Sequence, residues 1–193
     1  TLGHSNPRIN KVIYKQAKKI EHVIFAGFTH EPVIKFSKKL VEMMNNNLKH
    51  VFFSDNGSTA VEVALKMAYQ YQVLKGHSEK RKFIALKNSY HGDTLGAVSV
   101  GGIDMYHKVY KPLLFEIIQA ESPYCYRCPV GCAKETCNID CLSSVENILK
   151  EHSKNIAGII IEPLVQAAGG MIMYKAEYIT KLRKLCDKYN ILL

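Results

Sequence analysis

The sequence predicts an α/β domain with a mostly parallel sheet and helices on both faces, and three observations carry that expectation. Short apolar runs, such as Lys82-Phe83-Ile84-Ala85-Leu86, alternate with longer stretches whose apolar residues recur every three or four positions. The run Ile156-Ala157-Gly158-Ile159-Ile160-Ile161 is almost continuously apolar, the pattern of a strand covered on both faces. Polar clusters follow the ends of three predicted strands, the place where parallel sheets bind ligands.

In chain order, Asn6 and Pro7 read as the cap and first residue of a helix over 7–20, with Ile9, Val12, Ile13, Gln16 and Ile20 on one face. A second helix, about 31–44, has Pro32 in its first turn and is expected to bury Val33, Phe36, Leu40 and Met44, with Asn45-Asn46-Asn47 ending it. The loop between them, Phe25 to His30, either lines a pocket or packs. Val51-Phe52-Phe53 reads as a buried strand that feeds a helix over about 58–74, stopped by Gly76. Strands are then expected at 82–86, 114–118 and 156–161, and helices at 95–100, 142–152 and 176–189. Ile191-Leu192-Leu193 looks like the opening of another buried strand, and with the abrupt start it suggests a domain truncated at both ends.

The 193 residues, 47% apolar and 22% charged, are sufficient for one domain with a sizeable core. No apolar run approaches a membrane span and the start lacks a signal-peptide layout, so the expected location is the cytoplasm. The formal charge of +9 invites a nucleic-acid reading. The lysines, however, scatter along helix faces, as at Lys11, Lys15, Lys18 and Lys19, without a recognition motif, which favours a solvated surface and no nucleic-acid partner.

The corner Ser54-Asp55-Asn56-Gly57-Ser58-Thr59 suits an anion. Gly57 permits close backbone approach, and the first amides of the following helix lack internal partners and carry the positive end of its dipole. The alternative is a plain cap by Asn56 or Ser58. In Tyr90-His91-Gly92-Asp93-Thr94, Tyr90 offers a flat face for stacking, His91 and Asp93 offer proton-transfer or hydrogen-bonding groups, and Gly92 permits close approach. A partly buried tyrosine in an ordinary loop is the alternative. Glu162 follows an apolar run, so its carboxylate must meet a cavity or a polar partner, such as a lysine or arginine.

Taken together, Ser54 to Ala68, Tyr90 to Thr94, and Glu162-Pro163-Leu164-Val165-Gln166-Ala167-Ala168-Gly169-Gly170-Met171 resemble the class III aminotransferases of the fold-type I pyridoxal-phosphate superfamily. Within that family they are most similar to the branch of biotin synthesis that aminates 8-amino-7-oxononanoate, with S-adenosylmethionine as donor. The resemblance implies that residues 1–193 are part of the large, cofactor-binding domain of a homodimer. It implies pyridoxal 5′-phosphate as cofactor, held by Gly57 and Ser58 at its phosphate, by Tyr90 stacked on its ring and by Glu162 near the ring substituents. Tyr90 and Asp93 would face the substrate. The aspartate for the pyridinium nitrogen and the Schiff-base lysine are expected beyond Leu193, so no catalytic residue is assigned in this chain and the fragment alone is expected to be inactive. Ala167 stands where the family usually has glycine. A class III enzyme using lysine or another amine donor is the alternative substrate reading.

Residues 120–141 form a cysteine-rich loop. Cys125 and Cys128, with Cys137 and Cys141, could supply four thiolates to zinc or ligate an iron-sulfur cluster, with Cys132 between them. Reduced thiols in a surface loop are the favoured reading and no metal ligand is assigned. A non-catalytic metal- or nucleic-acid-binding module built on this loop is the competing functional class.

Overall fold

The computed structural model describes residues 1–44, 47–133 and 135–193. These divide into two compact units, Thr1–Phe53 and Ser54–Leu193.

The first unit contains α1 (Pro7–Ala17) and α2 (Glu31–Met43). Asn6 caps α1, its side chain accepting from the Arg8 and Ile9 amides, and His30 caps α2 by accepting from Val33. The first helix ends at Ala17, three residues earlier than expected. Neither helix buries a residue, and Phe36 and Met44 are exposed rather than internal, since so short a unit encloses little volume. The expected stop at Asn45 and Asn46 lies outside the described residues. Val51–Phe53 forms no strand. Phe53 instead packs its ring 6.0 Å from those of Phe25 and Phe36, so the run serves a local aromatic cluster, and Phe52 is exposed.

The second unit holds α3 (Gly57–Leu74), β1 (Lys82–Leu86), α4 (Leu95–Ser99), α5 (Asp104–His107), β2 (Ile118–Ala120), α6 (Ser143–His152), β3 (Ile156–Ile159), β4 (Val165–Gln166), β5 (Ile172–Met173) and α7 (Ala176–Tyr189). The parallel sheet runs β2-β1-β3, with Ile84 opposite Ile118 and Ile159. Beyond β3, Leu192 makes a parallel bridge to Gly158, and the Ile159 amide donates to the Leu192 carbonyl at 2.8 Å, as the buried run at Ile191 predicts. The third expected strand is displaced from 114–118 to Ile118–Ala120. A 3-10 stretch, Lys108–Leu113, precedes it and the Phe115 amide bonds the Ser99 hydroxyl at 3.2 Å, which takes that residue out of the ladder.

The alternation of β1 divides the core in two. Phe83 and Ala85 join Leu65, Val100 and Ala157 on one face. Ile84 and Leu86 join Val145, Leu149, Leu182 and Cys186 on the other. Helices thus cover both faces, α3 and α4 on the first and α6 and α7 on the second. Gly76 adopts φ +84°, and the His77 amide returns to the Gln72 carbonyl at 2.8 Å, ending α3 as a left-handed glycine does. No helix among the described residues is long and apolar enough to cross a membrane.

Candidate active site

The three polar clusters meet beyond the carboxyl ends of β1 and β3. Although no strand precedes the first cluster, side-chain bonds to the second hold it in place.

Asn56 caps α3 reciprocally with Thr59: its side chain accepts from the Thr59 amide at 2.9 Å, and Thr59 Oγ1 accepts from the Asn56 amide at 3.3 Å. Gly57 and Ser58 are therefore the first two residues of an 18-residue helix, whose amides there have no carbonyl four residues back. A Cβ built on Gly57 meets nothing within 4 Å, so the space over this helix end is open on the protein's side.

Ser58 Oγ accepts from the Asp93 amide at 3.2 Å, locking the loop after β1 to the start of α3. The contact requires Gly92, which has φ +132° and whose built Cβ would lie 2.2 Å from Ser58 Oγ. Four residues along α3, Glu62 Oε1 accepts from the Gly96 amide at 2.7 Å and fixes the start of α4. The Tyr90 hydroxyl donates to Asp93 at 2.7 Å, and that bond raises the phenol above its ordinary pKa. Tyr106 packs edge-on against the Tyr90 ring, with centroids 6.3 Å apart.

Glu162 joins the third cluster to the second. One carboxylate oxygen accepts from the Tyr90 amide at 2.9 Å and the other from the Ala167 amide at 3.0 Å. Among the described residues its polar partners are thus two backbone amides rather than a lysine or arginine. The Tyr174 hydroxyl donates to the Glu162 carbonyl.

Gln166, fully buried, donates to the Lys87 carbonyl at 2.9 Å and accepts from the Ser122 hydroxyl. Gly169 lies so close to Asn88 that a Cβ would stand 2.2 Å from the Asn88 carbonyl. Sequence reasoning assigned Gln166, Ser122, Glu62 and Tyr174 no role. A polar side chain within an apolar half-buried stretch, as at Glu62 and Gln166, was the available signal. The antiparallel β4–β5 hairpin that presents Gln166 was also missed, its strands being only two residues each.

His91 Nε2 and Thr94 Oγ1 are buried without a hydrogen-bond partner among the described residues. Burial pushes the His91 imidazole from 6.5 down to about 4. Folded, this ring stays neutral well below the pH at which the unfolded chain protonates it. Between those values the unfolded state binds more protons, so His91 costs stability as pH falls from about 6.5 to about 4, by roughly 3 kcal/mol in all. His91→Gln is expected to flatten that part of a urea-denaturation pH profile. An unchanged slope would rule out a neutral buried ring.

A family model described as aminotransferase class-III matches residues 1–193. The chain belongs to that family.

Among class III relatives, the adenosylmethionine-8-amino-7-oxononanoate aminotransferase of Geobacter sulfurreducens is 47% identical over 99% of this chain and 42% of its own length. The protein of the same name from Staphylococcus aureus is 46% identical over 99% of this chain and 43% of its own length. The crystal structure of the Methanocaldococcus jannaschii protein of that name superposes with a TM-score of 0.87 at 39% identity, covering 98% of this chain and 41% of that one. A PLP-bound amine transaminase from an uncultivated Pseudomonas species superposes at 0.88 with 34% identity, over 98% of this chain and 44% of that one. The chain thus spans about two fifths of the length of these relatives, and the α/β architecture expected of a class III large domain is the one they share.

Proposed function

We propose that this chain is the cofactor-phosphate and ring-binding part of a pyridoxal-phosphate aminotransferase that aminates 8-amino-7-oxononanoate, with S-adenosylmethionine as donor. One observation carries the reading: the three separate segments that hold Gly57, Tyr90 and Glu162 are joined to one another by the Ser58–Asp93 and Glu162–Tyr90 bonds. The names of the relatives supply the substrates, and the proposal extends to a cytoplasmic homodimer.

The donor set fits the cofactor. The helix end at Gly57 and Ser58 presents free amides to a dianionic phosphate, and the glycine leaves room where a side chain would stand. Ser58 Oγ accepts from Asp93, leaving its own proton to donate to a phosphate oxygen. Tyr90 is oriented at both ends, by Glu162 at its amide and by Asp93 at its hydroxyl, which holds its ring for stacking. Asp93 accepts the hydrogen bond of the Tyr90 hydroxyl and, in this reading, faces the substrate side. Bound pyridoxal phosphate supplies the electron sink for amino transfer. This chain binds and orients, and we assign the covalent lysine to none of its residues.

Two measurements on the full-length protein test the reading. With pyridoxal phosphate present, 8-amino-7-oxononanoate should be aminated with S-adenosylmethionine as donor; turnover with lysine alone would transfer the proposal to the lysine-using branch, and no amination with either would defeat it. Gly57→Ala should change stability by less than about 0.5 kcal/mol, because its Cβ meets no protein atom. It should nonetheless weaken cofactor binding at least about tenfold by filling the phosphate's approach.

A further inference from the structure

Given the aminotransferase reading, on which this rests, we propose that Tyr106 is a positioning residue for the cofactor ring. Its own ring sets the rotation of the Tyr90 ring about its long axis, and so the plane on which the cofactor stacks.

The two bonds that hold Tyr90 leave one freedom open. Glu162 fixes the backbone end by taking the Tyr90 amide, and Asp93 takes the hydroxyl, which lies on the Cβ–Oη axis about which the phenol ring turns. Rotation about that axis, χ2, has broad wells. The two bonds therefore define where the ring lies and hardly define which way its face looks. Stacking depends on that face, since offset-stacked and edge-on rings are distinct arrangements. A contact from the side is what fixes it. Tyr106 supplies one, with ring centroids 6.3 Å apart and planes at 75°, the edge-to-face geometry that aromatic pairs favour.

The backbone is built to put Tyr106 there. After α4 the chain turns back on the loop that follows β1: the Asn88 amide donates to the Gly102 carbonyl at 3.0 Å, and the Gly102 amide donates to the Ser89 carbonyl at 2.8 Å. These bonds join the residues just before Tyr90 to the residues just before α5. Such close approach requires a glycine, because a Cβ at Gly102 would stand 2.5 Å from the Leu86 carbonyl oxygen and 2.7 Å from the Asn88 nitrogen. On the other side of Tyr106, the buried His107 imidazole occupies the space where a Cβ at Gly101 would stand. Burial holds that imidazole below its ordinary pKa, against the opposing pull of Asp104 and Asp93, so it packs as a neutral ring within the field of the carboxylate that takes the Tyr90 hydroxyl. Tyr106 itself is 45% exposed, so its place is set by these anchors and not by burial in the core.

The test uses the full-length protein with pyridoxal 5′-phosphate as the probe. Cofactor affinity for the apoprotein and the visible circular dichroism of the bound cofactor are measured, with urea midpoints of the apoproteins alongside. Tyr106→Ala is expected to weaken binding about three- to tenfold, the range of one aromatic pair, and to change the dichroism band. Tyr106→Phe should keep the band and hold the affinity within about twofold, because the contact is made by the ring and not by the hydroxyl. Tyr106→Leu, which keeps the apolar bulk without the ring, should behave as the alanine variant does and replaces it should that variant not fold. In a Tyr90→Ala background, either substitution should change the affinity by less than about twofold, since its influence passes through the Tyr90 ring. A loss of equal size with and without the Tyr90 ring would overturn the proposal, whether it came from misfolding or from direct contact with the cofactor. So would the parent's dichroism band in the alanine or leucine variant. An unmutated protein that binds no pyridoxal phosphate would instead bring down the aminotransferase reading, and this proposal with it.

Discussion

Gly92→Ala is expected to destabilise the protein by roughly 2–5 kcal/mol, combining a left-handed backbone strain with an overpacked contact. Both contributions are visible at the residue. Its φ is +132°, and the added methyl would stand 2.2 Å from Ser58 Oγ and 2.9 Å from Ser58 Cβ. The loop after β1 would have to lift from the start of α3, breaking the Asp93–Ser58 bond that joins two of the three clusters. Cofactor affinity should fall with stability. Adding Ser58→Gly removes the two closest clashing atoms but not the backbone strain, so the double variant should recover only part of the loss. Urea denaturation of the four proteins measures this coupling directly. Strictly additive effects would mean that Gly92 and Ser58 do not touch.

Glu162→Gln should cost nearly as much as Glu162→Ala, about 2–3 kcal/mol, although it preserves the shape of the side chain. Each carboxylate oxygen accepts a different backbone amide, Tyr90 on one side and Ala167 on the other. An amide side chain has one acceptor oxygen, so its NH₂ must face one of those N–H groups, donor against donor. The Tyr90 ring would lose its anchor, and the urea midpoint and the affinity for pyridoxal phosphate should drop together. A glutamine variant as stable as the parent would show that the two bonds are dispensable and that Glu162 acts elsewhere.

Much of the fold is legible because its signals are local. Lys82–Leu86 and Ala176–Tyr189 have the boundaries expected from apolar spacing, and Gly76 ends α3 where a left-handed residue is needed. The candidate site residues Gly57, Ser58, Tyr90, Asp93 and Glu162 were identifiable by type and by their place after apolar runs. Their connections were not. A strand is completed by a partner distant in the chain, so Val51–Phe53 carries a strand's composition and forms no ladder, while β2 begins at Ile118, where it pairs with Ile84.

The order of elements, the two-sided covering of the sheet and the kinds of side chain at the crevice follow from residues near one another in sequence, because periodicity, caps and glycine turns act over a few positions. Which of those side chains meet was settled only by the folded chain. The Ser58–Asp93 bond spans 35 positions and the Tyr90–Glu162 bond 72. Such pairings depend on how the packed sheet aligns its strands, and no local pattern encodes that alignment.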